Sequence, residues 1–468
     1  MKKLFVIAVL VLACVSLAPF CHANTYYITG PYYDSSGIQH GFIVTSTAEG
    51  VLSYETFDVA DADQSNLGAS FPYSINASGV VCGTYRQVTT ERLRGFVRAA
   101  DGAITTFDVA GSTGNNGTQA IAINASGVIV GYWQDSSQVY HGFIRAADGT
   151  ITSFDAPGAG TGSNEGTVLY GWQAINASGQ IVGNILGGSD NIFIRNTDGT
   201  FVTFLTPGLT DYNQVAIDDS GVVAGTYEDV TFPYPGHAFV YSSGVLTAFD
   251  PPGSTNTFVF TIGIDNAGTI SGFFADASDI GHGFLRSSGG SFTIFTPSGS
   301  EYGGFAAIAS DGTVAGDSFN DLEYTAYPYI RYTDGTIDVY SIPSCAALFI
   351  PMGTGDNQGT AEPFSIVYVP AALALLCPLA NTGQVSVPYS SSLTASGGTP
   401  PYRFSIIGGS LPPDLTLNGS TGLISGTPTM AGTYPYTAQV TDSLSNTATA
   451  NCQIVISIIG RPHIFAMT

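Results

Sequence analysis

The sequence predicts an all-β fold, and three observations lead to that prediction. Gly, Thr, Ser, Tyr and Phe are abundant while charged residues make up only 10% of the chain, a balance that favours short strands joined by tight turns. Three short phrases recur in a fixed order along most of the chain. Helical periodicity is absent between them. The chain is therefore expected to consist of strands and turns.

The first recurring phrase is a turn of the form Ile-Asn-Ala-Ser-Gly. It begins at Ile75, Ile123, Ile175, Ile217, Ile264 and Ile308, and a degenerate copy occupies residues 356–359. Asn at the start of the turn and Gly at its end favour a tight hairpin between two apolar strands.

The second and third phrases are His-Gly-Phe and Thr-Phe-Asp. The aromatic residue of the second phrase is Phe42, Phe96, Phe143, Phe193, Phe239, Phe284 or Tyr329. That of the third is Phe57, Phe107, Phe154, Phe204, Phe249, Phe295 or Tyr340. Each repeat supplies four short strands, which is the content of one propeller blade.

The two ends of the repeat region complement each other. The region begins in mid-repeat near Tyr27, and residues 353–359 supply the turn phrase that should precede it. Pairing of the two ends would close a ring and remove an exposed sheet edge. We predict a seven-bladed β-propeller over residues 24–370, with eight blades as the second choice because residues 364–369 could add strands.

These phrases resemble the extracellular HAF-family repeats of bacterial proteins. The resemblance covers residues 26 to about 360. It implies secretion and repetition, and it implies no particular chemistry.

The composition changes after Cys377, where short β-rich runs are separated by Gly and Pro turns over residues 371–460. This pattern predicts an immunoglobulin-like β-sandwich, followed by a tail over residues 461–468. The order of its Pro-Tyr, Gly-Thr-Pro and Gly-Thr-Tyr motifs resembles the bacterial "putative Ig" modules of surface proteins. Such modules act as spacers or adhesion units. Related cadherin-like modules bind calcium through acidic clusters, and the isolated Asp442 argues against calcium here.

The cysteines suggest one disulfide. Cys377 lies at the first strand of the predicted sandwich and Cys452 at the last, and these strands are neighbours in immunoglobulin-like folds. Export permits oxidation, so we expect these two residues to be joined. The pairing of Cys82 and Cys345 stays open.

The N-terminus has the features of a signal peptide. Two lysines precede an apolar run over residues 4–17, and we expect cleavage after Ala23, so that residues 1–23 are removed. The alternative is a lipoprotein signal in which Cys14 is lipidated. We expect a secreted, extracellular or cell-surface protein.

The charge of the chain limits its partners. The two N-terminal lysines are its only lysines, and 35 acidic residues give a formal net charge of −23. Nucleic acid and anionic membranes are poor partners for this surface, because they need clustered basic residues. The later apolar run at 371–376 is too short to span a membrane. We expect a monomer that neither inserts into membranes nor binds nucleic acid.

Two sets of polar residues are candidate sites. Four histidines occupy the same place in their repeats: His40, His141, His237 and His282. They suggest either a metal or catalytic ring or a structural hydrogen bond within each blade, and repetition favours the structural role. Asp58, Asp61 and Asp63 offer oxygen ligands for Ca²⁺, although a solvated acidic loop is the favoured interpretation. No other cofactor and no catalytic residue is predicted.

The leading hypothesis is a non-enzymatic binding or adhesion protein whose propeller recognises an extracellular glycan or protein. Tyr170 and Trp172 depart from the repeat and are the candidate ligand-binding residues. The alternatives are a structural matrix component, or an extracellular polysaccharide hydrolase or lyase that uses carboxylates in the propeller channel. The non-repeating candidates for the enzyme are Glu165, Glu228, Glu301 and Glu323.

Overall fold

A computed structural model describes residues 25–33, 38–47, 50–63, 70–189, 191–208, 214–229, 236–255, 259–278, 280–296, 302–320, 325–339, 365–369 and 372–458. The chain divides into two compact units, one spanning Thr25–Val369 and the other containing the described residues from 372 onward. The expected signal peptide with Cys14, the tail at 461–468, Cys345, Glu301 and Glu323 lie outside the described residues.

Every regular element of the described chain is a β-strand, as the sequence predicts. In the first unit the strands are β1 Thr25–Tyr33, β2 Gln39–Thr47, β3 Gly50–Phe57, β4 Phe71–Ile75, β5 Val81–Arg86, β6 Leu93–Arg98, β7 Ile104–Phe107, β8 Thr118–Ile123, β9 Ile129–Gln134, β10 Tyr140–Arg145, β11 Ile151–Phe154, β12 Gly166–Val168, β13 Ile181–Leu186, β14 Ile192–Arg195, β15 Phe201–Phe204, β16 Val215–Ile217, β17 Val223–Glu228, β18 Gly236–Ser242, β19 Val245–Phe249, β20 Val259–Ile264, β21 Ile270–Ala275, β22 Gly281–Arg286, β23 Phe292–Phe295, β24 Tyr302–Ile308, β25 Val314–Asn320, β26 Thr325–Arg331, β27 Ile337–Val339 and β28 Ser365–Val369.

These strands form seven successive four-stranded antiparallel groups, called sheets 1 to 7 below. In chain order they are β28-β1-β2-β3, β4 to β7, β8 to β11, β12 to β15, β16 to β19, β20 to β23 and β24 to β27. Sheets 3 and 4 are joined by a single parallel pairing of Tyr140 with Gly166. Sheet 1 takes its innermost strand from the end of the unit, because β28 pairs antiparallel with β1.

The fourth strand of each sheet is its least buried strand. In sheet 3 all six residues of β8 are buried, whereas the two central residues of β11 are exposed. The first two strands are rich in Val and Ile, which favour a strand that is covered on both faces. The fourth strand is therefore the outer edge of each sheet.

The core lies between successive sheets. One buried cluster joins Cys82 of sheet 2 to Ala120 and Phe143 of sheet 3. Another joins Ala224 of sheet 5 to Phe284 of sheet 6. A further cluster joins sheet 1 to sheet 7, and it contains Ile28, Phe42, Val44, Ala315 and Ile330. Sheet 1 thus packs against the last sheet of the series.

The second unit is a separate β structure. Its strands are β29 Ala374–Leu376, β30 Thr382–Gln384, β31 Tyr389–Ser392, β32 Thr394–Ser396, β33 Arg403–Gly409, β34 Leu415–Leu417, β35 Leu423–Gly426, β36 Gly432–Thr441 and β37 Thr447–Ser457. They form a four-stranded sheet in the order β30-β37-β36-β33, a three-stranded sheet in the order β31-β35-β34 and the pair β29-β32. Leu393, Ile424, Val440 and Ile454 lie in its core. Among the described residues of both units, no helix is long and apolar enough to cross a membrane.

Candidate functional site

The His-Gly-Phe and Thr-Phe-Asp phrases meet within each sheet. Nδ1 of His40 lies 2.9 Å from Oδ1 of Asp58. The same contact joins His141 to Asp155 at 2.8 Å and His237 to Asp250 at 2.9 Å. Each contact joins the His of the His-Gly-Phe phrase to the Asp of the Thr-Phe-Asp phrase. The two residues meet because the third and fourth strands of each sheet are hydrogen-bonded neighbours.

The Nε2 atoms of His141, His237 and His282 each face a carboxylate that precedes the histidine in the chain. Nε2 of His282 lies 3.2 Å from Oδ2 of Asp276, and its Nδ1 lies 2.7 Å from Oγ1 of Thr296, which replaces the usual aspartate. The hydrogen bond with His282 lowers the pKa of Asp276, because it stabilises the charged carboxylate. Both imidazole nitrogens of His282 are therefore engaged, which is the geometry of a structural role within the sheet.

Packing requires the glycine of the His-Gly-Phe phrase. A Cβ built at Gly41 would lie 2.6 Å from the Phe57 ring, and one built at Gly142 would lie 2.5 Å from the Phe154 ring. Both distances are shorter than real Cβ contacts, so the aromatic ring of the third phrase lies directly on the glycine of the second.

In most sheets an arginine lies two residues after the aromatic residue of the His-Gly-Phe phrase, at a position for which no role was predicted. The guanidinium groups of five arginines lie over an aromatic ring of the preceding sheet, at 4.5 to 5.3 Å from the ring centroid. They are Arg98, Arg145, Arg195, Arg286 and Arg331. In sheet 5 Tyr241 takes this position and stacks on Phe204 at 3.9 Å. The recurring aromatic-x-Arg spacing was a signal for this contact between sheets.

The Asn turns connect one sheet to the next. Oδ1 of Asn124 accepts hydrogen bonds from the N–H groups of Ser126 and Val128 in its own turn. Its Nδ2 donates to the carbonyl oxygen of Asn176 in the following sheet at 3.2 Å. Asn76 donates in the same way to the carbonyl oxygen of Asn124, and Asn176 donates to that of Asp218. We call this series the turn ladder.

The turn ladder borders a cavity of about 180 Å³, called the inner cavity below. It is lined by the ends of the first strands and by the turns of sheets 3 to 7, together with Ile366 and Val367 of β28. Its polar lining includes Asn176, Asp218 and Asp265. The inner cavity is therefore a place where several repeats contribute equivalent residues.

One segment breaks the repeat beside this cavity. Asn176 lies ten positions after Gly166, whereas Asn124 lies seven positions after Gly117, so the segment that follows β12 in sheet 4 carries an insertion. Gln173 in this insertion accepts a hydrogen bond from the N–H of Ile264 at 2.9 Å and donates to the carbonyl oxygen of Ile308 at 3.3 Å. A side chain of sheet 4 thus joins the first strands of sheets 6 and 7.

The proposed ligand-binding residues lie in the same insertion. Tyr170 is half-buried and packs edge-on against Tyr132, with ring centroids 6.0 Å apart. Trp172 is half-buried beside the same core cluster, and its indole N–H has no hydrogen-bond partner among the described residues. Trp172 directly precedes Gln173, whose hydrogen bonds hold this part of the chain in place.

The acidic candidates are dispersed. Asp58 faces His40, while Asp61 accepts a hydrogen bond from Nε2 of Gln87 at 2.8 Å. The described residues hold no group of three or more His, Cys, Asp and Glu side chains arranged for a metal ion, so Asp58, Asp61 and Asp63 are not brought together as such a group. Glu165 accepts a hydrogen bond from the N–H of Gly162. Burial raises the pKa of Glu228.

The cysteines differ between the two units. Cys377 and Cys452 form a disulfide with a Cα–Cα distance of 5.5 Å, which ties the start of the second unit to β37. Cys82 is a free, fully buried thiol in β5, and burial raises its pKa well above the ordinary value.

Comparisons with known proteins identify the second unit. Residues 370–457 match the family described as "Putative Ig domain", so the C-terminal module is immunoglobulin-like. No curated protein sequence matches the chain.

Several solved structures are similar to this chain at low sequence identity. They include TolB from Acinetobacter baumannii, at 13% identity and a TM-score of 0.38, with 74% of this chain and 83% of that chain covered. The Aleuria aurantia lectin matches at 7% identity and a TM-score of 0.32, with 71% and 97% covered. A puromycin hydrolase matches at 12% identity and a TM-score of 0.42, with 68% and 52% covered. Similarity at this level says nothing about the activity of this chain.

Proposed function

We propose that residues 25–369 form a closed seven-bladed β-propeller that serves as a secreted, non-enzymatic binding domain. Seven four-stranded sheets and the pairing of β28 with β1 support a closed ring. The resemblance of the repeats to extracellular HAF-family repeats supports secretion. In this proposal the immunoglobulin-like module is a spacer or adhesion unit.

The proposal rests on the insertion in sheet 4. It places two aromatic side chains next to a segment that Gln173 anchors to two other sheets. A half-exposed indole with an N–H free of partners among the described residues offers an apolar face and a donor, which suits a sugar ring or a protein anchor. Trp172 is the principal contact residue in this proposal, with Tyr170 beside it, and the ligand is an extracellular glycan or protein.

Array binding tests the proposal. Purified wild type and Trp172→Ala are screened on glycan and matrix-protein arrays, and hits are quantified by calorimetry. Loss of the Trp172 side chain should weaken binding by about tenfold or more, as expected for a central aromatic contact. Trp133→Phe is the matched control, because Trp133 stacks on His141 at 4.5 Å in a repeated position and should not affect binding.

The same samples separate the rival functions. Each polymer that binds is incubated with wild type and analysed for shortened products over time. Time-dependent cleavage would replace the binding role by the hydrolase or lyase alternative. Absence of any ligand on either array would favour a structural matrix component and contradict the proposal.

The ring has its own test. Deletion of residues 24 to 45 removes β1 and most of β2, and with them the partner of β28. A closed ring then loses its junction, so the whole first unit should lose its cooperative unfolding transition. If the variant still unfolds cooperatively and its unfolding signal falls only by the share of one sheet, the sheets form an open array.

A further inference from the structure

Seven glycines of this chain directly follow an asparagine or an aspartate, and all seven pairs are described. In such a pair the backbone nitrogen of the glycine can add to the side-chain carbonyl carbon of the residue before it, because glycine has no side chain to hinder the approach. When the first residue is asparagine, the addition expels ammonia and leaves a cyclic imide. The two asparagine pairs are Asn116-Gly117 and Asn418-Gly419.

In six of the seven pairs the glycine nitrogen is already engaged. Its N–H closes a tight turn by donating to the carbonyl oxygen three residues earlier, as Gly117 does to Gly114 and Gly149 does to Ala146. The same hydrogen bond is made by Gly102, Gly199, Gly312 and Gly335. Gly419 is the exception, because its N–H donates to no group among the described residues.

The difference comes from the place of the pair in its turn. In the other six pairs the residue before the glycine is the third of the turn, whereas Asn418 is the first residue of the loop between β34 and β35. The N–H of Asn418 donates to the carbonyl oxygen of Leu423 at 2.8 Å, and the carbonyl oxygen of Gly419 accepts from the N–H of Phe404 at 2.8 Å. The main chain is therefore held on both sides of the Gly419 nitrogen, which itself stays available.

The amide of Asn418 is polarised by its own loop. Its Oδ1 accepts hydrogen bonds from the N–H groups of Ser420 at 3.0 Å and Thr421 at 3.1 Å, and from the Ser420 hydroxyl at 2.8 Å. Donors aimed at a carbonyl oxygen stabilise the negative charge that develops there when a nucleophile adds to the carbon. Asn418 and Gly419 are both exposed, so water reaches the loop. The loop thus supplies a nucleophile, a polarised electrophile and access for water.

We propose that Asn418 is a site of spontaneous deamidation in the immunoglobulin-like module. The Gly419 nitrogen gives its proton to solvent and bonds to Cγ of Asn418, and the bond from Cγ to Nδ2 breaks as Nδ2 takes up a proton and leaves as ammonia. Water then opens the imide. Opening at Cγ leaves an aspartate, and opening at the main-chain carbonyl carbon leaves an isoaspartate. One water is consumed, one ammonia is released, and the module gains one negative charge.

The two products differ in their effect on the hairpin. An aspartate keeps the hydrogen bonds at Oδ1, because a carboxylate oxygen also accepts them. An isoaspartate adds one carbon to the main chain and turns the carbonyl of Asn418 into a free carboxylate. The hydrogen bond that this carbonyl accepts from the N–H of Gly422 at 2.9 Å is then lost in its present form, which loosens the loop between β34 and β35.

Asn116 is the matched control within the same chain. It also precedes a glycine, but it is half-buried, its Nδ2 donates to the Tyr140 hydroxyl at 2.7 Å, and the N–H of Gly117 is engaged. The full chain is incubated at mildly alkaline pH below its unfolding temperature in water labelled with heavy oxygen, and peptide mass spectrometry follows both sites. Deamidation with uptake of the label should be at least about tenfold faster at Asn418 than at Asn116. In denaturant the two rates should become similar.

Two variants test the chemistry of the loop. Gly419→Ala should slow deamidation by about tenfold or more, because a methyl group beside the nitrogen hinders its approach to Cγ. Ser420→Ala removes only the hydroxyl donor to Oδ1 and leaves both N–H donors, so it should slow the reaction by about threefold or more. Thermal unfolding of both variants checks that the module is folded.

Equal rates at Asn418 and Asn116 in the folded chain would overturn the proposal, and so would a ratio of the two rates that is no larger in the folded chain than in denaturant. An unchanged rate at Asn418 in both variants would also overturn it, since neither the glycine nitrogen nor the donors at Oδ1 would then take part. None of these measurements depends on the proposed ligand of Trp172.

Discussion

The guanidinium carbon of Arg286 lies 4.5 Å from the centroid of the Phe249 ring, across the junction between sheets 5 and 6. Phe249 belongs to the outermost strand of one sheet and Arg286 to the third strand of the next. The ring therefore contacts both its own sheet and the following one. Because the contact recurs at four other junctions, it is a general means by which this chain joins consecutive repeats.

The first prediction concerns this stack. Arg286→Lys should lower the free energy of unfolding by about 0.5–2 kcal/mol, since an ammonium group lacks the planar face that lies on the ring. Arg86→Lys is the control, because Arg86 donates to the carbonyl oxygen of Glu91 and lies over no aromatic ring of the described residues. Urea unfolding of both variants measures the difference. Equal effects of the two substitutions would show that the ring contact contributes nothing.

The turn ladder leads to a second prediction. Asn124→Ala removes two hydrogen bonds within its turn and one to Asn176, all at a buried position, so we expect a loss of about 2–3 kcal/mol. Ser126→Ala in the same turn has an exposed side chain and should change stability by less than about 0.5 kcal/mol. Denaturant midpoints and slopes give both values. A small effect of Asn124→Ala would mean that hydrogen bonds to water compensate for the lost hydrogen bonds of the Asn124 side chain.

A third prediction concerns acid. The pKa of Asp276 lies below its ordinary value, first because of the hydrogen bond with His282 and then because of the N–H groups of Ser278 and Ile280. A carboxyl group whose pKa is lowered by folding contributes stability above its unfolded pKa of about 3.9, and that contribution is lost as the pH falls through the folded pKa. His282→Ala should raise the pKa of Asp276, as measured by NMR titration of labelled aspartate.

The same titration contains its own control. The pKa of Asp198 is lowered by the hydroxyl and N–H groups of Thr200, without a histidine, so it should be unchanged in His282→Ala. If the Asp276 and Asp198 resonances shift together, the effect is a general change in the fold and not the loss of one imidazole.

The fourth prediction concerns the second unit. Replacing both Cys377 and Cys452 by Ala removes a link across 75 residues, and the immunoglobulin-like module should lose about 2–4 kcal/mol. Reduction of wild type should have the same effect. Cys82 should stay unmodified by thiol reagents in the folded protein, because it is buried and its pKa is raised. Peptide mapping that finds Cys377 free in oxidised protein would contradict the pairing.

The last prediction concerns the junction between sheets 1 and 7. The Tyr26 hydroxyl donates to Oδ2 of Asp311 at 2.7 Å and accepts from the Thr313 hydroxyl at 3.2 Å. Tyr26→Phe leaves both groups without this partner, so it should cost about 1–3 kcal/mol. Tyr27→Phe on the adjacent residue, whose hydroxyl has no hydrogen bond among the described residues, should be near neutral. Thermal unfolding compares the two, and similar losses would rule out a specific role for the junction.

Much of the architecture follows from local chemistry that can be read in the sequence. The composition, the Asn-x-x-Gly turns and the recurring aromatic positions indicated that the chain is all-β and where its hairpins lie, and the change to Gly and Pro turns after Cys377 indicated where the C-terminal module begins. Local signals are sufficient for this because a hairpin joins residues close in the chain. The equivalent positions of the four histidines and their partners in the Phe-Asp phrase were also visible.

Tertiary structure decided which repeat touches which. The stack of Arg286 on Phe249, the reach of Gln173 to Ile264 and Ile308, and the hydrogen bond from Asn176 to the carbonyl oxygen of Asp218 all join residues of different sheets. The Asn of each turn is plain in the sequence, but its role depends on the carbonyl to which the side chain donates. That neighbour lies in the next repeat, nearly fifty residues away, and only the packing of one sheet on another brings the two together.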